Sequence, residues 1–448
     1  MLNIPLTYPP PKVQGFVIPG IPASAGDEGF CHPREIFERI KEVVGEYQVD
    51  RDFRDVKEWE REPNTGLERY RRLIEDLMAI EDKRFKLAAH LQKELAPDLF
   101  IVIFTLLDRL QHYFWRFGDP KHPHYSPDGN QLFGRTIEDG YARMDEMIGE
   151  LIRDAGEGAN IILLSDHGFG PYHKDFYLNK WLIDNGYMVV RHNPRLTLQK
   201  RKISEILERR GRMSKNSKLL RWLPDASIPI PFIKRRPDAN DIVWSKTKAY
   251  TSMYGLRINL KGRECCGIVE PGVCSDQLRA EIKRKLESLT HGEEKIQIMA
   301  GADLYRGPQA HMGPDLFLKI SDFRVVASER VDAQQWFDTG FDHAFGGTHR
   351  VEGIFLASGP TFHKSRLDNL TILDVAPTIL YLMGIPIPSC MDGNVITELF
   401  PDQYLQSHPP RFDKPDTVSN PSHNKDAYAP EEERRIMDSL RGLGYIDE

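Results

Sequence analysis

Two apolar runs rich in β-branched residues, each followed at once by an acidic residue, place the strongest constraint on the fold of this chain. The run LFIVIFTLL precedes Asp108, and the run NIILLS precedes Asp166. Runs of this length and composition predict buried strands of a parallel sheet. In α/β proteins, ligands bind in the crevice beyond the carboxyl ends of such strands. We therefore expect Asp108 and Asp166 to face the same cavity.

A histidine accompanies each of these aspartates. His112 lies four residues after Asp108 in a stretch that predicts a helix, so both side chains can point at one ion. His167 directly follows Asp166, and His349 follows the glycine pair of GGTH, which allows it to complete the first set. Carboxylate oxygens and imidazole nitrogens suit zinc or manganese, so the pattern predicts two adjacent sites for divalent cations. In a simpler interpretation, the aspartates are turn or cap residues and Asp-x-x-x-His is a surface pair.

Long stretches of the chain resemble the alkaline phosphatase superfamily, and within it the type I phosphodiesterase/nucleotide pyrophosphatase branch, which includes predicted phosphohydrolases and phosphomutases. The resemblance extends over nearly the whole chain. It is carried by NIPLTYPP, DRLQHYFWRFGDPKHPHY, LLSDHGFGPYHKDFYLNKWL, SKTKAYTSMYGLRINLKGRE, GGTHRVEGIFLASGPTF and DVAPTILYLMGIPIPSCMDG. It implies an alkaline-phosphatase-like α/β fold, with a doubly wound, mostly parallel sheet, helices on both faces and a small α+β cap insertion.

The resemblance also implies a role for each metal-binding candidate. Asp108, His112 and His349 correspond to the ligands of one metal, and Asp166 and His167 correspond to two ligands of the other. The family has two further groups, an Asp at the end of the first strand and a Thr or Ser nucleophile just after it, both upstream of the segment that resembles NIPLTYPP. Because this sequence begins at that segment, we expect the opening βα unit and the nucleophile to be absent.

No residue near the start is a convincing replacement for that nucleophile. Thr7 belongs to NIPLTYPP itself, and Ser24 lies in a Pro- and Gly-rich loop with no preceding strand. Cys31 is followed by His-Pro-Arg, but the sulfatase motif has its Arg one residue later, so we interpret Cys31 as an ordinary loop cysteine. We therefore expect the chain as given to have weak or absent turnover.

The resemblance implies a metal-dependent phosphohydrolase that hydrolyses phosphate monoesters or diesters of small molecules by in-line displacement, with two divalent ions, zinc or manganese, as cofactors. A phosphomutase of the same superfamily is an alternative, since it would return the phosphoryl group to the substrate. Another alternative is a catalytically silent binding protein, or half of a split enzyme that a complementing N-terminal fragment completes. A nucleic-acid binder is disfavoured because the overall charge is acidic.

Four other histidines draw attention by their position. His173 follows the second metal pair closely, and His343 precedes His349 by six residues, so both are candidates for contact with the substrate. For His343, a loop histidine bonded to the backbone is the alternative. His122 and His124 flank a proline in a polar loop, and we expect both to be exposed.

A shift in composition after residue 190 helps to divide the chain into parts. The predicted parts are 1–190, the first half of the catalytic core; 191–241, a basic Pro-containing insertion; 242–307, a small α+β cap; 308–400, the second half of the core; and 401–448, a polar tail with a short helix. We interpret the basic insertion as a solvated surface segment rather than a site for anionic substrates or lipid headgroups.

The composition limits the classes of partner. A length of 448 residues with 40% hydrophobic content is enough for a large core, and the net charge of −6 argues against a general binder of nucleic acids or anionic membranes. The apolar runs are too short to span a bilayer, and no charged and apolar leader opens the sequence. The five cysteines form neither a metal-ligand spacing nor a disulfide framework, which predicts a cytoplasmic protein.

Overall fold

Contacts between residues divide the chain into two compact units. Unit 1 comprises Met1–His173 and Phe341–Ile446, and unit 2 comprises Lys174–Gly340 and Asp447–Glu448. The structure is a computed structural model, and it describes residues 1–21, 23, 28–51, 53, 67–191, 195–198, 228–234, 239–252, 254–289, 294–338 and 345–413. All five metal-binding candidates belong to unit 1.

The helices follow the apolar periodicity of the sequence. Within the described residues they are α1 (Glu35–Val44), α2 (Leu67–Leu95), α3 (Leu106–Gly118), α4 (Pro127–Phe133), α5 (Thr136–Ala155), α6 (Leu178–Asp184), α7 (Val273–Glu287), α8 (Gly301–Leu304), α9 (Val375–Leu382) and α10 (Asp402–Ser407). Apolar periodicity predicts helices in PREIFERIKEVVGEY, across roughly 58–94, and in TIEDGYARMDEMIGELIRDAG, SDQLRAEIKRKLESL and DVAPTILYLMG. Helices α1, α2, α5, α7 and α9 confirm these predictions within the described residues. The helix predicted near the C-terminus falls in 414–448, outside the described residues.

The strands are short. They are β1 (Leu2–Ile4), β2 (Ile18–Pro19), β3 (Ile161–Leu164), β4 (Gly168–Pro171), β5 (Lys174–Tyr177), β6 (Arg195–Leu198), β7 (Ile228–Lys234), β8 (Ala249–Ser252), β9 (Gly255–Ile258), β10 (Ile296–Ala300), β11 (Leu316–Ile320), β12 (Val325–Ser328), β13 (Phe337–Asp338), β14 (Gly347–Arg350), β15 (Phe355–Ser358), β16 (Ile387–Pro388) and β17 (Phe412–Asp413). The pairs β1–β2, β5–β12 and β16–β17 are parallel, and the other described strand pairs are antiparallel.

Helix α3 lies at the centre of one apolar core of unit 1. Its residues Leu106, Leu110 and Phe114 are fully buried and recur every four residues, so they form one face of the helix. This face belongs to the same buried cluster as Met144 and Met147 of α5. Each such side chain contributes about 1.5–3 kcal/mol by leaving water. Packing of α3 on α5 therefore fixes the helix that carries two of the candidate ligands.

The run LFIVIFTLL differs from its prediction at its carboxyl end. Val102 bridges Leu2 in parallel, and the amide of Leu2 donates to the carbonyl of Ile101 at 2.8 Å. Helix α3 already begins at Leu106, so Asp108 lies in the first turn of the helix and not at the end of a strand. The prediction was wrong there because the last leucines of the run are needed for the helix face. The second run forms a strand, β3, as predicted, but the prediction of a buried strand in a parallel sheet was wrong for it, because β3 pairs antiparallel with β15 and its residues are half-buried.

Unit 2 is built on a seven-stranded sheet. Its strands lie in the order β13-β5-β12-β11-β9-β8, and β10 also pairs with β11. The alternating pattern of KAYTSMYGLRINL predicts short strands, and β8 and β9 confirm them. The fully buried Ile282 and Leu286 of α7 lie in the same apolar cluster as Leu256, Leu316 and Leu318 of the sheet. Burial of this helix face closes the core of unit 2.

The structure is a mixed α/β fold with a multi-strand sheet. The doubly wound, mostly parallel arrangement stays a prediction, and so do the five predicted parts of the chain. Most of the predicted basic insertion lies outside the described residues, although Arg195–Leu198 and Ile228–Lys234 pair as β6 and β7. None of the described helices combines the length and the apolar character that crossing a membrane requires.

Candidate metal centre

A buried ion pair holds the start of helix α3. Arg84 and Glu81 of α2 form this pair, and their side chains are 0% and 2% exposed. Arg84 Nη1 donates to the hydroxyl of Thr105 at 3.1 Å, while Glu81 Oε2 accepts from the Thr105 amide at 3.2 Å. Thr105 is the N-cap of α3. The ion pair therefore anchors the first turn of the helix, where Asp108 lies.

The two oxygens of Asp108 have different surroundings. Oδ2 accepts a hydrogen bond from Nη1 of Arg109, and Arg109 also binds Asp50 through Nη2 at 2.7 Å. Oδ1 is buried and faces imidazole nitrogens, with Nε2 of His349 at 3.3 Å. Burial alone would raise the pKa of the Asp108 carboxyl, but His112, which is protonated in the acidic range where this carboxyl titrates, and the guanidinium of Arg109 hold that pKa well below its usual range. Asp108 is thus a carboxylate whose Oδ2 is bound by Arg109 and whose Oδ1 faces the imidazoles, where a cation could bind it.

His112 lies one turn further along α3 and is buried. Its Nδ1 is 3.1 Å from the carbonyl oxygen of Gly347, and since a carbonyl only accepts, Nδ1 carries the proton and Nε2 keeps its lone pair. The rings of Phe169 and Phe345 each lie 4.7 Å from the imidazole, centroid to centroid. Burial in these surroundings lowers the pKa of His112 to about 3, even though Asp108 opposes the shift. A neutral imidazole with a fixed tautomer is the form that binds a metal.

Strand β14 brings His349 to the helix. It pairs antiparallel with β4, so that His349 lies opposite Phe169. The amide of Gly346 donates to the carbonyl of His112 at 2.6 Å. A Cβ atom on Gly347 would collide with the carbonyl oxygen of Gln111, so a side chain at this position would push the strand away from α3. Glycine here allows the close approach that positions His349, as the sequence suggested.

The three first-site candidates meet at this point. Nε2 of His349 lies 3.3 Å from Oδ1 of Asp108 and 3.1 Å from Nε2 of His112. One ligand atom from each residue falls within 4.8 Å of the other two. Two ligands bound to a tetrahedral zinc at about 2.1 Å lie about 3.4 Å apart. A divalent cation fits this spacing. It also fits the donor set of one oxygen and two nitrogens.

His167 joins the second predicted pair to this cluster. Its Nε2 lies 3.8 Å from Oδ1 of Asp108 and 3.6 Å from Oδ1 of Asp166. Its ring stacks on that of His349 with the centroids 3.8 Å apart. The carboxylate of Asp166 is 70% exposed. The second pair therefore adjoins the first set, with its acidic group open to solvent.

Sequence reasoning missed the groups that hold the ligands in place. Asp50, Arg109 and the Glu81–Arg84 pair lie behind Asp108 and α3, and Phe169 and Phe345 enclose His112. The adjacency of Arg109 to Asp108 is visible in the sequence, but nothing local indicates that the guanidinium turns back onto its neighbour. Asp50 has no recognisable signal, because its partner is distant in sequence.

The remaining histidine predictions have different outcomes. His343 lies outside the described residues. His173 lies against His122, with ring centroids 5.7 Å apart, and its role toward substrate stays a prediction. The expectation that His122 is exposed was wrong, because the residue is 3% exposed and its Nε2 lies 2.6 Å from the carbonyl oxygen of Tyr172. His124 is half-buried.

Comparison with known protein families assigns the chain to a family. The family model of type I phosphodiesterase / nucleotide pyrophosphatase matches residues 12–264, which is more than half of the chain. The chain belongs to this family. The matched region includes Asp108, His112, Asp166 and His167, whereas His349 lies beyond it. No match was found among curated proteins or among solved structures.

Membership of the type I phosphodiesterase/nucleotide pyrophosphatase family points to a phosphoesterase, and a small-molecule phosphoester fits as the substrate. The Asp and His cluster gives this family member a candidate metal site. The expectation that a nucleophile-bearing segment is absent stays a prediction.

Proposed function

We propose that this chain is a metal-dependent phosphoric ester hydrolase with two divalent cations, zinc or manganese, that acts on mono- or diesters of small molecules. Asp108, His112 and His349 would hold one cation, and Asp166 and His167 would contribute to the other. The observation that carries the proposal is the convergence of three ligand atoms: the buried Oδ1 of Asp108 lies 3.3 Å from Nε2 of His349, which lies 3.1 Å from Nε2 of His112. A buried carboxylate destabilises the folded state unless positive charge or hydrogen-bond donors offset its lost hydration, and a cation bound by these three groups would supply that charge.

The residues of the chain have separable tasks in this proposal. Arg109 holds Oδ2 of Asp108 and leaves Oδ1 free to bind, while the carbonyl of Gly347 fixes the tautomer of His112. Phe169 and Phe345 exclude water from one side of His112. When bound, the two cations would polarise the phosphoryl oxygens and offset the negative charge that develops during displacement.

The exposed side of the cluster is where a substrate would approach. Asp166 is 70% exposed and lies beside the more buried His167. His173 and His343 remain our candidates for contact with the phosphate ester. No Thr or Ser of this chain is a predicted nucleophile. Cation binding therefore tests the proposed site more directly than turnover does. A phosphomutase would be distinguished by its products, because its phosphoryl group returns to the substrate.

Two further features belong to the proposal. We propose a cytoplasmic location, since all five cysteines carry free thiols, as a reducing compartment favours. We also propose that nucleic acids are not partners, in keeping with the net charge of −6.

The first test measures bound zinc and manganese in the full chain by elemental analysis and by titration. We expect His349→Ala and Asp108→Asn to weaken cation binding by more than about tenfold, since the first removes an imidazole ligand and the second replaces an anionic oxygen ligand by a neutral one. His363→Ala is the matched control, because this exposed histidine of unit 1 is not among the candidate ligands and its ring lies 3.0 Å from the backbone carbonyl of Glu398. Unchanged affinity in both ligand variants would overturn the proposed site.

The second test measures hydrolysis of bis-p-nitrophenyl phosphate and p-nitrophenyl phosphate with added zinc or manganese. Hydrolysis that is lost in Asp166→Ala and retained in His363→Ala supports the hydrolase and the second cation. Because we expect the chain as given to have weak or absent turnover, robust hydrolysis of either ester would overturn the expectation that the nucleophile is absent. Tight cation binding with little hydrolysis is the expected result, whereas a chain of verified fold that binds no cation would reject the metal-dependent hydrolase.

A further inference from the structure

Unit 2 carries a pair of adjacent thiols, Cys265 and Cys266, on its surface. Both side chains are exposed, and their sulfur atoms lie 3.7 Å apart. Consecutive side chains of an extended chain point to opposite sides, so a pair that points the same way requires a turn. The chain makes that turn here, where the amide of Gly267 donates to the carbonyl of Glu264 at 3.2 Å. The sequence spacing alone had not indicated a metal site.

The turn is anchored from the interior of unit 2. Asn259 is 1% exposed, and its Nδ2 donates to the carbonyl of Cys266 at 3.1 Å. The same Nδ2 lies within hydrogen-bonding distance of the carbonyls of Trp244 and Thr247. A Cβ atom on Gly267 would collide with the carbonyl oxygen of Leu260, so the backbone is closely packed just after the two cysteines. The thiols are therefore presented by backbone that a buried amide holds in place.

The spacing of the two sulfur atoms fits a particular ligand class. Thiolates bound to a tetrahedral zinc at about 2.3 Å lie about 3.8 Å apart. A disulfide would instead require a sulfur separation of about 2.05 Å, and the Cα atoms of neighbouring residues, about 3.8 Å apart, are closer than disulfides usually allow. We propose that Cys265 and Cys266 form a two-thiolate site for one thiophilic divalent cation, such as zinc or cadmium.

Cation binding at the two thiols releases protons and leaves coordination positions open. A thiophilic cation displaces one proton from each sulfur and binds the two thiolates. Two coordination positions then remain for solvent or for a small ligand, since a tetrahedral site has four. This arrangement suits reversible binding of the cation rather than a closed structural site.

The test uses the full chain in its reduced form and cadmium alone as the probe. We expect one equivalent of cadmium to produce a thiolate-to-cadmium charge-transfer absorption. The candidate centre of unit 1 offers carboxylate and imidazole groups, so it cannot produce this signal, and the outcome is independent of the proposed hydrolase. Cys265→Ser and Cys266→Ser should each weaken the binding by about two orders of magnitude, because the second thiolate no longer binds within the same chain.

Cys274→Ser and Cys390→Ser are the matched controls, since both cysteines are exposed and free. They should leave the absorption and the affinity unchanged. The proposal is overturned if the double variant Cys265→Ser with Cys266→Ser keeps the full absorption, or if one cadmium ion requires two chains. It is also overturned if the reduced chain gives no absorption, or if cadmium has no effect because the pair oxidises to a disulfide, which mass spectrometry would detect as the loss of two hydrogens.

Discussion

Nε2 of His349 lies 3.3 Å from Oδ1 of Asp108, although Lys174–Gly340 of unit 2 lies between α3 and β14 along the chain. The contact depends on two close approaches, one between β14 and α3 and one between α3 and α2. Each approach gives a prediction about the variant that would disrupt it.

The first prediction concerns Gly347. Gly347→Ala introduces a Cβ atom that would collide with the carbonyl oxygen of Gln111, so the strand must shift. We expect a loss of about 1–3 kcal/mol in the free energy of unfolding, as overpacking costs, and weaker cation binding. Urea denaturation and zinc titration measure the two effects. Gly158→Ala is the control, since its Cβ atom would meet no atom within 4 Å, and equal behaviour of the two variants would contradict the prediction.

The second prediction concerns the buried ion pair behind helix α3. Arg84→Met leaves Glu81 buried without its partner, and breaking such a pair costs about 3–5 kcal/mol. The double variant Glu81→Leu with Arg84→Met should recover much of this loss, because no buried charge remains. Urea denaturation of the three proteins measures the difference. The exposed Arg39, whose replacement by Met should cost less than about 1 kcal/mol, is the control.

The third prediction concerns Cys31. Burial and the nearby charge of Glu35 raise the pKa of this thiol to about 11. The neutral thiol is therefore favoured in the folded state, and the stability that it contributes is present at neutral pH and is lost as the pH rises through about 11. At pH 8 we expect Cys31 to react with a disulfide reagent far more slowly than the exposed Cys390. Peptide mapping after timed labelling measures both rates, and similar rates would refute the prediction.

The fourth prediction concerns His122. Burial lowers its pKa to about 4, against the opposing hydrogen bond to the carbonyl of Tyr172. Since the folded state disfavours the protonated form, stability is full above the ordinary pKa of about 6.5 and falls as the pH drops toward 4. His122→Gln should lose less stability than the unmodified chain between pH 7.5 and pH 5. His363→Gln, at an exposed histidine whose ring lies 3.0 Å from the carbonyl of Glu398, is the control and should behave like the unmodified chain, and urea denaturation at both pH values decides.

The sequence alone identified the helices well, because apolar periodicity reflects local backbone geometry and burial on one face. It also indicated that Asp108 and His112 share a helix face and that the glycines before His349 serve a close approach. It was wrong about where the strand before Asp108 ends, because the leucines at Leu106 and Leu110 belong to the face that packs on α5.

Side-chain partners that are distant in sequence were decided by the tertiary structure. From the sequence we predicted that His122 is exposed, yet in the fold its Nε2 lies 2.6 Å from the carbonyl oxygen of Tyr172. Asp50 gave no signal, yet it holds Arg109, which in turn holds Asp108.

The sequence by itself determined which residue types are available for a cation and which of them are neighbours on one helix or one strand. The tertiary structure decided which oxygen of Asp108 is held by Arg109 and which is left to face His112 and His349. The physical reason is that local patterns fix short-range geometry, whereas convergence of separate segments depends on how their apolar faces pack together.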